Sequence, residues 1–132
     1  MKALLVIIMT ACMMVNCSSQ KKETAAAEVL APAAFEKKIK ETVDAVVLDV
    51  RTAEEFQTGK VPNAVNVDFN NPAFKSIMNG QNKEKPYFVY CAKGGRSAKA
   101  VSLMKEFGFK NVYDLEGGMS AWKAAGLKVT PP

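Results

Sequence analysis

The sequence predicts an α/β fold: a mostly parallel sheet of about five strands with helices on both faces. Three observations carry that expectation. Short runs rich in β-branched and aromatic residues, among them AVVLDV, PYFVY and NVYDL, recur along the chain. Segments with apolar residues three or four apart lie between them, and glycines or capping residues separate the two patterns. At 132 residues the chain has room for one compact core, with no internal repeat and no second domain.

Taken in order, Ala33 to Thr42 places apolar Phe35 and Ile39 four apart among charges and reads as a helix. Ala45 to Val50 follows as a short run suited to a buried parallel strand. Thr52 offers a helix N-cap, with Glu54 and Glu55 in a first turn where acids complement the helix dipole. That helix ends by Gly59. Ala64 to Val67 reads as a strand, Pro72 to Met78 as a short helix stopped by Asn79-Gly80, and Pro86 to Tyr90 as the next strand. Gly95 to Phe107 carries Ala98, Val101, Leu103, Met104 and Phe107 as an apolar stripe, and Gly108 terminates it. Asn111 to Leu115 is a further strand, and Met119 to Ala125 a last helix closed by Gly126.

The first residues belong to a different regime. Ala3 to Val15 is continuously apolar behind Lys2, and a membrane-spanning helix needs about 20 such residues, so residues 1–16 read as a signal segment. The polar run after Cys17 resembles the start of a bacterial lipoprotein, in which that cysteine becomes the lipidated first residue. Asn16 departs from the small residue preferred there. Cys12 fits the local motif better but would leave a short apolar region and an apolar mature start, so Cys17 is favoured. Residues 17–31 then read as a tether and residues 32–132 as the domain, exported and held at a membrane by its lipid.

The formal charge is +5, or +4 without Lys2, and basic residues never run longer than two. That is a mildly basic solvated surface rather than the clustered stripe that nucleic acid would call for. The domain is expected to act as a monomer.

With Cys12 and Cys17 assigned to export, Cys91 is the one remaining thiol, and no disulfide can form within the chain. It opens the loop CAKGGRS, between PYFVY and the helix that follows, a position where ligands gather beyond the carboxyl ends of parallel strands. Backbone N–H groups of a tight loop entering a helix make a cradle for an anion. Gly94 and Gly95 allow the turn. The helix terminus, Lys93 and Arg96 are expected to favour the thiolate, which is the nucleophile. The chain has no histidine, which excludes Cys-His and Ser-His-Asp arrangements and removes the usual zinc ligands. No metal and no cofactor are expected. A cysteine beside glycines, taken alone, would more simply be a buried structural residue; the strand end, glycine pair, helix start and two cations together favour chemistry.

At these residues the sequence resembles the rhodanese homology domain, the sulfurtransferase family. The loop Cys91-Ala92-Lys93-Gly94-Gly95-Arg96 is similar to the family's six-residue active-site loop, and LDVRTAEEFQTGKVPNAVNVD (residues 48–68) and VYDLEGGMSAWKAAGLKV (residues 112–129) agree as well. Lys60 stands where the family commonly has histidine, and Asn63 where it has glycine. Arg51 is read as an ion-pair partner of Glu55, four residues on.

The resemblance implies that Cys91 attacks a small anionic sulfur donor such as thiosulfate, forms a persulfide, and passes sulfur to cyanide or a thiol. Ala92, Lys93, Gly94, Gly95, Arg96 and Ser97 would bind the donor, Lys93 holding its sulfonate and Arg96 either binding the anion or bracing the loop. In related phosphatases and arsenate reductases the cysteine and arginine enclose one residue more, making a cradle for a tetrahedral oxyanion. The remaining alternative is a membrane-tethered persulfide carrier that is not itself an enzyme.

Overall fold

The computed structural model describes residues 27–132, so the signal segment with Cys12 and Cys17 lies outside it. The described chain runs β1 (Glu28–Leu30), α1 (Pro32–Glu41), β2 (Val46–Asp49), α2 (Ala53–Gln57), β3 (Val65–Asn66), α3 (Phe74–Asn79), β4 (Pro86–Tyr90), α4 (Gly95–Glu106), β5 (Asn111–Leu115) and α5 (Gly118–Ala124). The strands form one parallel sheet in the order β1-β5-β4-β2-β3.

Alternation along the strands sorts the core into two layers. Leu48, Val89 and Val112 face α3 and α4, where they meet Phe74, Met78, Val101 and Met104. Val47, Phe88 and Leu115 face the other way, toward Phe35 of α1 and Met119 and Trp122 of α5. Both sides of β2 and β4 are therefore covered, which is why these strands read as unbroken apolar runs. Phe35 makes edge-to-face contacts with Phe88 and Trp122, at 5.4 and 6.3 Å between ring centroids. The Trp122 indole N–H donates to the Lys128 carbonyl at 2.9 Å, so its polar edge is satisfied within the core.

Two sequence expectations change here. Residues 28–30, assigned to the tether, form β1 on the edge of the sheet, with Val29 beside Asp114 and Leu30 beside Leu115. Three residues that are half-solvated at an edge carry no periodic signal. In α4 the buried side chains are Ser97, Ala100, Val101 and Met104, whereas Ala98 is exposed and Leu103 half-buried. The inward stripe thus begins one residue before Ala98, on a hydroxyl.

Strand order also fixes where a site can lie. The chain leaves β4 through α4 toward β5, and leaves β2 through α2 toward β3, with α4 and α2 on opposite faces. Adjacent parallel strands whose connections diverge in this way leave a crevice beyond their carboxyl ends. Residues 50–59 and 91–97 follow β2 and β4 at that end of the sheet.

Candidate active site

Cys91 follows β4 directly and is 1% exposed, packed with Val89 and Val101. The loop turns at Gly94, whose φ of 106° belongs to the left-handed region that glycine enters without penalty. That turn aims the Gly94 amide back at Cys91, 3.1 Å from Sγ. The Cys91 thiol donates to Ser97 Oγ at 3.5 Å, and the Ser97 hydroxyl in turn donates to the Gly94 carbonyl at 3.2 Å. Gly95, paired with Gly94 in the sequence reading, has an ordinary helical backbone and begins α4.

Burial pushes the Cys91 thiol up, but hydrogen bonds from the Ser97 hydroxyl and the amides of Ser97, Gly94 and Lys93 outweigh it and hold the thiol below its usual range. The expectation that cations supply this stabilisation holds in part: the loop's hydrogen bonds come first, and of the two cations it is Arg96 whose charge interacts with Cys91. Lys93 is exposed, and its contribution comes through its backbone amide. Arg96 is turned onto Glu55, with Nη1 to Oε2 at 2.7 Å and Nη2 to Oε1 at 2.9 Å. Dipoles lead at the sulfur, and the Arg96 charge also attracts its anion from within the ion pair.

The Glu55 pair spans the crevice from α2 to α4 and braces the loop. Glu55 also closes a capping box: its amide donates to the Thr52 hydroxyl oxygen at 3.2 Å, and its Oε2 accepts from the Thr52 amide at 2.9 Å. The Arg96 guanidinium, helped by Thr52 and opposed by burial, holds the Glu55 carboxyl at about 2. A carboxyl depressed on folding stabilises above its unfolded value near 4.5, and that stabilisation is lost as pH falls toward about 2. Replacing Glu55 by glutamine is expected to flatten this acid limb. It should cost about 1 kcal/mol at neutral pH, a figure reduced for solvent screening because the two side chains are 26% and 35% exposed. Urea unfolding at neutral pH and near pH 3 measures both, and an unchanged acid limb would show that the pair contributes nothing.

Arg51, expected on Glu55, instead folds back on Asp49, with Nε 3.0 Å from Oδ1 and Nη2 2.7 Å from Oδ2. It sits ahead of the Thr52 cap, so the helical four-residue spacing does not apply to it. Lys60 pairs its backbone with Thr130 in both directions at 2.9 Å, and Asn63 adopts a φ of 63°, a conformation glycine and asparagine share. Both family departures therefore fall on scaffold.

The second glycine pair, missed in the sequence reading, supports the loop from below. Amides of Met119 and Ser120 at the start of α5 donate to the carbonyls of Cys91 and Ala92, at 2.8 and 3.0 Å. This approach leaves no room for a side chain at Gly118, where a Cβ would lie 2.5 Å from the Cys91 oxygen. Asp114 on β5 is the other residue missed. It is buried at 6% exposure, and among the described residues its Oδ1 is the one buried side-chain oxygen or nitrogen without a hydrogen-bond partner. Among the described residues there is no cluster of His, Cys, Asp and Glu able to hold a metal.

Comparison with known proteins agrees with this architecture. The family model described as the Rhodanese-like domain matches residues 31–125. The chain is 34% identical over 80 residues to the thiosulfate sulfurtransferase GlpE of Pseudomonas savastanoi, covering 61% of this chain and 74% of that one. It is 40% identical over 86 residues, 58% of its own length, to the adenylyltransferase and sulfurtransferase UBA4 of Scheffersomyces stipitis, but spans only 19% of that relative. Among solved structures, a rhodanese-related protein from Thermoplasma volcanium superposes with a TM-score of 0.70 at 30% identity, covering 80% of this chain and 99% of that one.

Proposed function

The chain belongs to the rhodanese-like domain family, and on that premise we propose that it is a sulfurtransferase that carries sulfane sulfur as a persulfide on Cys91. The observation that supports the reading most is the cradle itself: a buried sulfur held 3.1 Å from the Gly94 amide and within reach of the Ser97 hydroxyl, with its ionisation favoured.

In the first half-reaction the Cys91 thiolate attacks the outer sulfur of thiosulfate. The sulfur–sulfur bond of the donor breaks, its electron pair leaves with sulfite, and a Cys91 persulfide anion remains. In the second, cyanide or a thiolate attacks the terminal sulfur, the persulfide bond breaks, and Cys91 returns as the thiolate. Charge balances in each step without a base, which suits a chain lacking histidine. Amides aimed at Sγ stabilise anionic sulfur throughout, and they are already oriented before the donor arrives. Lys93, exposed at the third loop position, is free to meet the donor's sulfonate. Gly95 presents an open surface, with nothing within 4 Å of where a side chain would begin.

Phosphoester or arsenate chemistry fits less well. Those reactions need a cation free to hold a tetrahedral oxyanion, and the Arg96 guanidinium is already held at two points by Glu55. The thiosulfate donor is supported by the similarity to GlpE, named as a thiosulfate sulfurtransferase. Export and lipidation at Cys17 belong to the same proposal and rest on the sequence pattern of residues 1–18. Fatty-acid labelling that persisted in Cys17→Ala would overturn that part.

The test of the proposal is mass spectrometry of the protein after incubation with thiosulfate. A gain of one sulfur localised to Cys91, lost again on addition of cyanide, is the expected result. No adduct with thiosulfate or with an organic persulfide would overturn it.

A further inference from the structure

Arg96 belongs to the reactive loop and commits its charge outside it. Its backbone is fixed at the rim of the cradle: Gly95 before it opens α4, and Ser97 after it meets Sγ of Cys91 at 3.5 Å. Its guanidinium is turned onto α2, where Nη1 and Nη2 donate to the two carboxylate oxygens of Glu55 at 2.7 and 2.9 Å. Glu55 is held in place on its own helix, because its Oε2 accepts from the Thr52 amide and its amide donates to the Thr52 hydroxyl oxygen. A two-point pair of this kind fixes direction as well as distance.

A part-exposed ion pair adds little to stability. Its effect on the charge offered at the loop is larger, since a guanidinium held at two points has few donors left for an anion. Glu55 raises the Arg96 guanidinium against the effect of burial, and the charges of Cys91 and Asp68 add to it, so the cation lies within electrostatic reach of the sulfur. The surface beside it is open at Gly95, with nothing within 4 Å of where a side chain would begin, so a released guanidinium has room to move. A planar guanidinium matches two oxygens of a tetrahedral oxyanion such as sulfate or phosphate. The four residues between Cys91 and Arg96 limit what enters the cradle, but they do not keep an oxyanion from resting across its mouth on a free arginine.

We propose that Glu55 is a specificity-determining residue: by holding the Arg96 guanidinium it keeps tetrahedral oxyanions off the mouth of the Cys91 loop and leaves the loop amides to receive a donor by its sulfur end. Specificity of this kind works by exclusion, with a group placed against the wrong ligand rather than for the right one. Thiosulfate carries both ends in one molecule. With Arg96 held, the exposed Lys93 meets the sulfonate and the outer sulfur enters the cradle. With Arg96 released, the sulfonate is itself the better ligand for the mouth, and the donor lies the wrong way round. No bond is made or broken by the device; it selects which anion, and which end of it, is held.

The inference rests on the reading of Cys91 as the reacting thiol, and it is tested without a sulfur donor. The rate at which iodoacetamide alkylates Cys91, read from its peptide by mass spectrometry, is followed against rising sulfate at constant ionic strength. The parent protein is compared with Glu55→Gln, Arg96→Gln and the double variant, each referred to its own rate without sulfate. Glutamine keeps an acceptor for the Thr52 amide but removes the charge that holds Arg96. Half-protection of Cys91 should then need about tenfold less sulfate than in the parent, the effect of one charge-assisted hydrogen bond. Arg96→Gln alone should not strengthen protection, and the double variant should lose the gain, a coupling that independent sites do not show. A Glu55 that only braces the loop would change stability and leave the sulfate curve where it was. That result, which includes Arg96 turning to Asp68 instead, would overturn the inference, and so would a gain that survives in the double variant. If Glu55→Gln fails to fold, the parent decides: its Arg96 Nε–H resonance should be unmoved by sulfate, and a saturating shift would overturn the inference. Persulfide formation with an unchanged sulfate curve would sink this inference alone. The expected curves in a protein that never forms a persulfide would refute the proposed function and leave the inference standing.

Discussion

Replacement of Cys91 by serine is expected to reduce sulfur transfer from thiosulfate to cyanide by on the order of a thousandfold or more, to the uncatalysed background. Serine is close in volume and can occupy the same place between Val89, Val101 and the Gly94 amide, so the fold should survive. What it lacks is an anion. The amides that lower the thiol leave a hydroxyl un-ionised at neutral pH, because it starts many units higher and the correction available from the loop is modest. Thiocyanate formation measured beside thermal unfolding separates the two effects. A folded Cys91→Ser variant that retained a tenth of the parent's turnover would move the chemistry to another residue.

The largest effect on stability is expected at Arg51. Asp49 is fully buried and Arg51 is 3% exposed, and the guanidinium also donates from Nη2 to the Gly59 carbonyl at 2.8 Å while stacking over the Tyr90 ring at 5.6 Å. Replacing Arg51 by methionine keeps much of the volume but strands the Asp49 charge with only the residue 51 backbone amide beside it, and leaves the Gly59 carbonyl without its donor. Breaking a buried pair from one side costs about 3 to 5 kcal/mol. That loss could leave the domain marginal at room temperature. The double variant Asp49→Asn, Arg51→Met should recover part of it, since no charge is then left in the core. Guanidinium unfolding of the two variants reads the difference, and a single variant destabilised by less than about 1 kcal/mol would show that the pair is not isolated from water as the structure has it.

Much of this was legible because it is local. The run PYFVY followed by a cysteine and two glycines places a strand end, a tight turn and a helix start within twelve residues, and each is set by backbone conformation or burial of neighbouring side chains. Thr52 announced its helix for the same reason, since a capping hydroxyl acts three residues away. The departures arise where the partner is remote. Glu55 and Arg96 lie forty-one positions apart and meet because α2 and α4 flank one crevice, a fact of strand order that no window along the chain contains. Arg51 was misplaced by extending helix spacing across a cap. Asp114 looked like a polar residue of a strand, and its significance depends on what lies above it in the sheet.

The clamp from α5 has a consequence for the order in which reactivity appears. During synthesis Cys91, Ala92 and the turn at Gly94 emerge well before Gly118, Met119 and Ser120, whose amides fix the carbonyls of the first two. Asp114 also arrives late, on the strand that completes the sheet between β4 and β1. A nascent chain thus carries the thiol while lacking both the floor beneath its loop and the strand beside β4. Domain-sized chains gain their nonlocal contacts last. The surroundings of Cys91 are therefore completed by the closing of the fold, and an incomplete chain holds an ordinary cysteine.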